Sequence, residues 1–199
     1  MNEKIPFDNS YDELTPGSLR NHFLIAMPGL NDSSFAHTVT YICEHSDKGA
    51  MGVVINTATP MQLKEIFAQM ELADAAEEAG DQIVMSGGPV QPERGFVLHP
   101  SDSKWQSTLE VSPDISLTAS RDIIVALAEG RGPKQYLITL GYAGWGEGQL
   151  EEEIASNSWL TVHADKDIIF NTPFEQRWTA AAQTLGIDVN LITSTAGHA

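Results

Sequence analysis

Cysteine, basic side chains and long apolar runs are all scarce in this chain of 199 residues. Its single cysteine, Cys43, excludes a disulfide within the chain and fits a reducing compartment. Eleven Lys and Arg stand against 27 Asp and Glu, which gives a formal net charge of −16. Because nucleic acids and anionic membranes are bound by clustered basic side chains, and here these are scattered, direct binding to either is disfavoured.

The apolar runs have the length of strands, so we expect no transmembrane helix. The first 18 residues contain no apolar stretch of the signal-peptide kind, and we therefore expect a cytosolic protein. This segment is polar and acidic and is interrupted by Pro16 and Gly17. It predicts a flexible N-terminal arm over residues 1–18, followed by a single domain over residues 19–199.

The familiar catalytic and cofactor motifs are also missing. No G-x-S-x-G occurs, which leaves a serine triad without support. A glycine-rich turn follows Leu140, but it has neither the GxGxxG spacing nor a GK[ST] sequence. Glu147 and residues 151–153 place negative charge at the start of the next helix, which repels phosphate. We therefore predict no cofactor.

One segment has spacing that suits a metal site. His163, Asp165 and Asp167 alternate, as ligands on one side of a strand would. The same residues are better explained as a solvated turn ahead of the apolar residues that follow. We therefore predict no metal.

Short β-branched or aromatic runs bounded by turn residues predict seven strands, at 23–27, 39–43, 52–55, 82–85, 95–98, 108–111 and 136–140. Four helices have readable ends. Their predicted starts are Thr59 with Pro60, Ser120, Gly148, and a capping box of Thr172 with Glu175. Gly130 and Gly186 mark the ends of the second and the fourth. Several strands follow one another directly, so we predict an α+β fold with a largely antiparallel or mixed sheet.

The first predicted helix carries one apolar stripe, made of Leu63, Ile66, Phe67 and Met70. On the second predicted strand, alternation places Cys43 and His45 on the same face. A thiol–imidazole pair could provide a nucleophile and a base, but we expect Cys43 to be a buried small hydrophobe instead.

Glycine- and aromatic-rich turns follow the predicted strands and supply the candidate site. Such turns place backbone N–H groups at strand ends, where ligand sites form. His45 could act as a base, Arg94 could anchor a carboxylate or phosphate, and Glu147 could serve as an acid or base. Each turn can equally be a purely structural one. The predicted ligand-binding residues are His45, Asn56, Arg94, Trp145 and Glu147.

Together these segments resemble the AlgH/YqgE family of uncharacterised bacterial proteins, from about Leu19 to Gly186. The resemblance rests on HFLIAMP (22–28), TVTYICEHSDKGAMGVVIN (38–56), SGGPV (86–90), RGFVLH (94–99), SRD (120–122), LGYAGWGEGQLEEEI (140–154), NSWL (157–160) and RW (177–178). It implies a cytosolic protein with a bifurcated mixed sheet, curled into a pseudo-barrel with about four flanking helices. One branch of the family is labelled a transcriptional regulator of exopolysaccharide synthesis, and no catalytic residues can be transferred from it.

Two features depart from the family pattern: the N-terminal arm, and Thr57 at a position where a lysine is expected. The second removes a positive charge beside a possible cleft and weakens the case for an anionic ligand. Our leading hypothesis is a regulatory or adaptor protein that binds a small ligand or a protein partner and does not itself bind DNA. The alternative is a small-molecule enzyme, hydrolase- or transferase-like, with a cleft at the glycine-rich turns, and the sequence leaves open whether any reaction is catalysed.

Overall fold

The computed structural model describes residues 17–30, 32–72 and 77–188, so nearly all of the predicted N-terminal arm lies outside the described residues. The strands are β1 His22–Ala26, β2 Val39–Ser46, β3 Gly49–Val54, β4 Ala58–Gln62, β5 Ile83–Ser86, β6 Val90–Pro100, β7 Thr108–Glu110, β8 Ile115–Thr118, β9 Leu137–Trp145 and β10 Trp159–His163. The helices are α1 Leu63–Gln69, α2 Glu77–Gly80, α3 Arg121–Ala128, α4 Gln149–Ala155, α5 Lys166–Phe170 and α6 Arg177–Gln183, with a 3₁₀ turn at Phe174–Gln176.

All ten strands belong to one curled sheet that divides at β9. The main path runs β10-β1-β2-β3-β9-β6-β8-β7, with β4 and β5 branching from it. The last three residues of β9 pair with β3, whereas its earlier part pairs with β6 and, in parallel, with β5. The other pairs are antiparallel. The predicted α+β class and the bifurcated mixed sheet are therefore confirmed.

Both faces of the sheet are covered, and this is why its strands are so apolar. Alternation along β9 sends Leu137 into a large core cluster beneath α5 and α6, and Ile138 into a second cluster beneath α1 and α3. A third cluster around Trp145 and Trp159 packs below α4. Each helix is held mainly by this packing, since all are eight residues or shorter.

Two predicted helix starts are wrong. Residues 58–62 form strand β4, and α1 begins only at Leu63, after Gln62. The Thr59 hydroxyl donates to the carbonyl of Val84 at 2.7 Å, so it belongs to the strand pairing and does not cap a helix. The Thr172 hydroxyl bonds to the carbonyl of Asp167, and a 3₁₀ turn precedes α6. The predicted starts of α3 and α4 are confirmed.

The segment expected to be a turn near residue 165 contains a short helix. Asp165 caps α5 by accepting the backbone N–H of Asp167 at 2.8 Å, and His163 ends strand β10. Within the described residues, no group of three or more His, Cys, Asp or Glu is placed to hold a metal ion. No helix in that part of the chain has the length and apolar character needed to cross a membrane.

Candidate functional site

The glycine-rich turns pack directly against one another. A Cβ on Gly87 would lie 2.3 Å from the carbonyl oxygen of Gly141, and one on Gly88 would lie 2.3 Å from that of Tyr142. The amide of Gly87 also donates to the carbonyl of Leu140 at 2.7 Å. Real Cβ atoms do not approach so closely, so these glycines are required by the contact between two backbone segments.

His45 is held on both sides of its ring. Its Nδ1 accepts the backbone N–H of Leu19 at 2.8 Å, and its Nε2 donates to Glu151 at 2.7 Å. The Nε2 tautomer follows from these partners, because the amide can only donate. The interaction with His45 helps to lower the pKa of Glu151, after the larger effect of its backbone hydrogen bond.

The predicted face shared by Cys43 and His45 is wrong. The pairing of β2 with β3 shifts between Ile42 and Glu44, and this β-bulge interrupts the alternation. Cys43 enters the large core cluster, whereas His45 pairs with Ala50 of the cluster beneath α4. Burial raises the pKa of the Cys43 thiol, as expected for a small hydrophobe.

Two further candidates make contacts inside the protein. The Asn56 side chain bridges two strand ends: its Oδ1 accepts from the amide of Val39 at 2.8 Å, and its Nδ2 donates to the carbonyl of His37 at 2.9 Å. The Arg94 guanidinium lies over the Phe96 ring, 5.6 Å from its centroid. These contacts orient both side chains without requiring a ligand.

The last two candidates lie on either side of Gly146. Trp145 is 7% exposed, and its indole N–H donates to Glu153. Glu147 is exposed, and the carboxylate that meets His45 is that of Glu151, about one helical turn further on. Assignment of these five residues to a ligand site stays a prediction.

A large groove lies elsewhere, between α1 and α3 on the outer side of β6 and β9. We call it the α1–α3 groove. Its volume is about 810 Å³. Its apolar lining residues include Met61, Ile66, Met70, Val97, Ile124, Ile138 and Leu140.

The predicted apolar stripe of α1 contributes to this groove. Leu63 and Phe67 are buried in the core, whereas Ile66 and Met70 are only half-buried and form a wall of the groove. Gly95 contributes to the lining, and a Cβ placed on it would meet nothing within 4 Å. The groove is thus open where a larger side chain would fill it.

The rim of the groove carries three charged side chains. Arg121 donates from Nη2 to the carbonyl of Met70 at 3.1 Å, which ties the start of α3 to the end of α1. Glu71 and Glu93 also line the groove, and both are exposed. The sequence analysis missed this groove. The signal that could have revealed it is the apolar stripe of α1, which contains more apolar residues than the core buries.

Comparisons with known proteins agree with the fold. The AlgH-like family model matches residues 23–190. A UPF0301 protein of Saccharophagus degradans is 58% identical over 182 residues, or 92% of this chain and 89% of the relative. A second, from Thioalkalivibrio sulfidiphilus, is 55% identical over 90% of this chain and 96% of its own length.

Two solved structures are also similar. The solution structure of the AlgH protein from Pseudomonas aeruginosa is 48% identical, with a TM-score of 0.77 over 93% of this chain and 98% of that one. A crystal structure of a protein from Corynebacterium diphtheriae is 17% identical and has a TM-score of 0.68, over 87% of this chain and 91% of that one. The latter shares the fold.

Proposed function

This chain belongs to the AlgH-like family, and from its own geometry we propose that it is a binding protein of regulatory or adaptor type. It takes a small apolar ligand into the α1–α3 groove and does not itself bind DNA. The observation that carries this proposal is an open groove of about 810 Å³ with an apolar floor, within the range of small-molecule sites.

The chemistry of the groove supports binding over catalysis. Its described lining residues include no His, Cys, Lys or Tyr. The lining does include the hydroxyls of Thr118 and Ser120, but these bond to His99 and Asp122 within the protein, and its two carboxylates are exposed at the rim. Met61 and Met70 instead supply flexible, polarisable surface that adapts to apolar ligands. The net charge of −16 supports the exclusion of DNA.

The test uses N-phenyl-1-naphthylamine, a neutral apolar dye that fluoresces strongly outside water. We expect saturable binding of one dye per chain. The variant Gly95→Leu fills open space in the groove, so it should fold normally and lose at least about tenfold in dye affinity. The matched control is Gly29→Leu, because Gly29 is also exposed with open space around its Cβ position but does not line the groove.

Far-UV circular dichroism establishes that both variants are folded. If the dye binds without saturation, or if Gly95→Leu binds it as tightly as Gly29→Leu does, the proposed function is wrong. A salt-sensitive mobility shift with unrelated DNA would overturn the exclusion of nucleic acid.

A further inference from the structure

We propose that the ligand of the α1–α3 groove is a cationic amphiphile: a small molecule with an apolar body and an ammonium or similar cationic group, held by Glu71 and Glu93. This inference rests on the proposed function and adds the chemical class of the ligand. Its basis is that irregular backbone places both carboxylates on the groove rim.

Glu71 occupies a position that favours glycine. It follows α1 with a φ of 56°, in the left-handed region. The amides of Glu71 and Leu72 bond back to the carbonyls of Ala68 and Phe67, the paired pattern of a Schellman motif. Glycine is the usual residue at this point of the motif, since it alone avoids the steric cost. A carboxylate is therefore present on the rim at the expense of local stability.

Glu93 reaches the groove through a large bulge in β6. Val90 pairs with Tyr142 and Gly95 with Leu140, so residues 91–94 stand opposite the single residue 141. Gln91, at the start of this excursion, has a φ of 46°. The bulge brings Glu93 to the lining of the groove. Bulges commonly re-aim side chains beside functional sites. Two unrelated departures from regular backbone thus bring carboxylates to one groove.

The charges around the groove favour a cation. Arg121 is the only basic residue among the described lining residues, and it donates to the carbonyl of Met70. Within the described part of the chain, neither Glu71 nor Glu93 forms a salt bridge. The net charge of −16 adds a field that attracts cations and repels anions. An apolar floor beneath two unpaired carboxylates matches a molecule with an apolar body and a cationic group.

The length of the groove favours a small molecule over a helical peptide. Its walls are helices of seven and eight residues, and these span about 10–12 Å. Arg121 crosses between the two helices by its bond to Met70. A medium alkyl chain or a compact ring system fits this length, whereas a peptide helix with anchors over three turns is longer.

The experiment compares three probes with the same tail: decylammonium, decanol and decanoate. Each displaces the neutral dye, and decylammonium is also titrated directly by calorimetry, so that the result does not depend on the dye. We expect decylammonium to bind about tenfold more tightly than decanoate, with decanol between them, because each exposed ion pair contributes modestly. The preference should shrink as salt is added.

The double variant Glu71→Gln with Glu93→Gln should bind decanol unchanged and lose the preference for the ammonium. A matched control, Asp47→Asn with Glu152→Gln, removes the same charge from exposed residues that do not line the groove and should keep the preference. Equal loss in both double variants would show an effect of net charge alone and overturn the assignment of Glu71 and Glu93.

The remaining outcomes separate this inference from the proposed function. If the dye binds but the three probes compete equally, the groove is a general apolar site and the cationic class is wrong. If neither the dye nor decylammonium binds, the proposed function fails as well. If a basic amphipathic peptide displaces the dye with higher affinity than decylammonium, the small-molecule occupant is overturned.

Discussion

The carboxylate of Glu153 accepts the indole N–H of Trp145 at 2.9 Å. The same oxygen accepts the indole N–H of Trp159 at 2.8 Å. One side chain of α4 thus fixes two tryptophans from different strands, and Phe35 packs against both rings. Trp145, the aromatic residue of the glycine-rich turn, is therefore part of a structural cluster that hydrogen bonds and ring contacts hold in place.

Replacement of this carboxylate should be costly. In Glu153→Gln the charge that strengthens both hydrogen bonds is lost, and we expect the free energy of unfolding to fall by about 1.5–3 kcal/mol. Tryptophan emission should change as well, because both indoles lose their charged acceptor. Urea unfolding followed by fluorescence measures the two effects. Glu152→Gln, an exposed neighbour, should stay within about 0.5 kcal/mol of the wild type; equal losses in the two variants would refute this account.

The close packing of the glycine turns predicts which glycines are indispensable. Gly88 combines a φ of 147° with an approach of 2.3 Å to Tyr142, so Gly88→Ala should cost about 3 kcal/mol or prevent folding. A Cβ on Gly146 would meet only the Gln149 side chain, at 4.0 Å, and Gly146→Ala should change stability by less than about 0.5 kcal/mol. Thermal unfolding distinguishes them. A stable, well-folded Gly88→Ala protein would contradict the close backbone approach between Gly88 and Tyr142.

Glu71 should show opposite effects on stability and on binding. Glu71→Gly relieves the left-handed strain and should raise the free energy of unfolding by about 0.5–1 kcal/mol, after allowance for the greater freedom of glycine in the unfolded chain. The midpoint of thermal unfolding should then rise by about 1–4 °C. The same variant should bind decylammonium more weakly.

A reverse control exists at the end of α3. Gly130 has a φ of 70° with open space around its Cβ position, so Gly130→Ala introduces the same strain without a clash. It should lose about 1 kcal/mol. If Glu71→Gly is destabilising while Gly130→Ala behaves as expected, Glu71 makes a stabilising contact and the argument from strain is wrong.

His99 should make stability depend on pH. The residue is fully buried, with Nδ1 2.8 Å from the carbonyl of Pro100 and Nε2 2.8 Å from the hydroxyl of Thr118. Burial lowers the pKa of His99, and the hydrogen bond to Pro100 opposes this only in part. The unfolded chain therefore binds the proton more readily. The stabilising contribution is complete above the unfolded pKa, about 6.5, and is lost as the pH falls below it towards the folded value.

The variant His99→Gln removes this titration. When the pH is lowered from about 8 to about 5, the free energy of unfolding should fall more in the wild type than in the variant. Parallel dependences for wild type and His99→Gln would show that His99 does not control the response to acid.

The sequence predicts the fold better than the site. Short apolar runs between turn residues locate most strands, and the resemblance supplies the way the sheet divides. Strand pairing is harder to predict from the sequence. Thr59 and Pro60 satisfy the local rules for a helix start, yet both belong to strand β4. Contact with Val84 in the neighbouring strand overrides those rules. Local propensity is outweighed here by tertiary pairing, which no single segment encodes.

The groove could not be derived from periodicity. Ile66 and Met70 share one helical stripe with Leu63 and Phe67, and only the position of α3 decides which of them face the core and which line the groove. The excursion that carries Glu93 depends on a register shift against β9, about fifty residues further along the chain. The bulge therefore follows from the pairing of two strands that lie far apart in the sequence.

The place of β9 at the division of the sheet has a consequence for synthesis on the ribosome. β3, β5 and β6 each need β9 to satisfy one edge, yet β9 comes 83 residues after Val54 and 37 after Pro100. Until that strand emerges, these three hydrogen-bonding edges of the nascent chain have no native partner. Such edges are open to wrong pairing and to chaperones, so the native sheet closes late, and both halves are completed by the same strand.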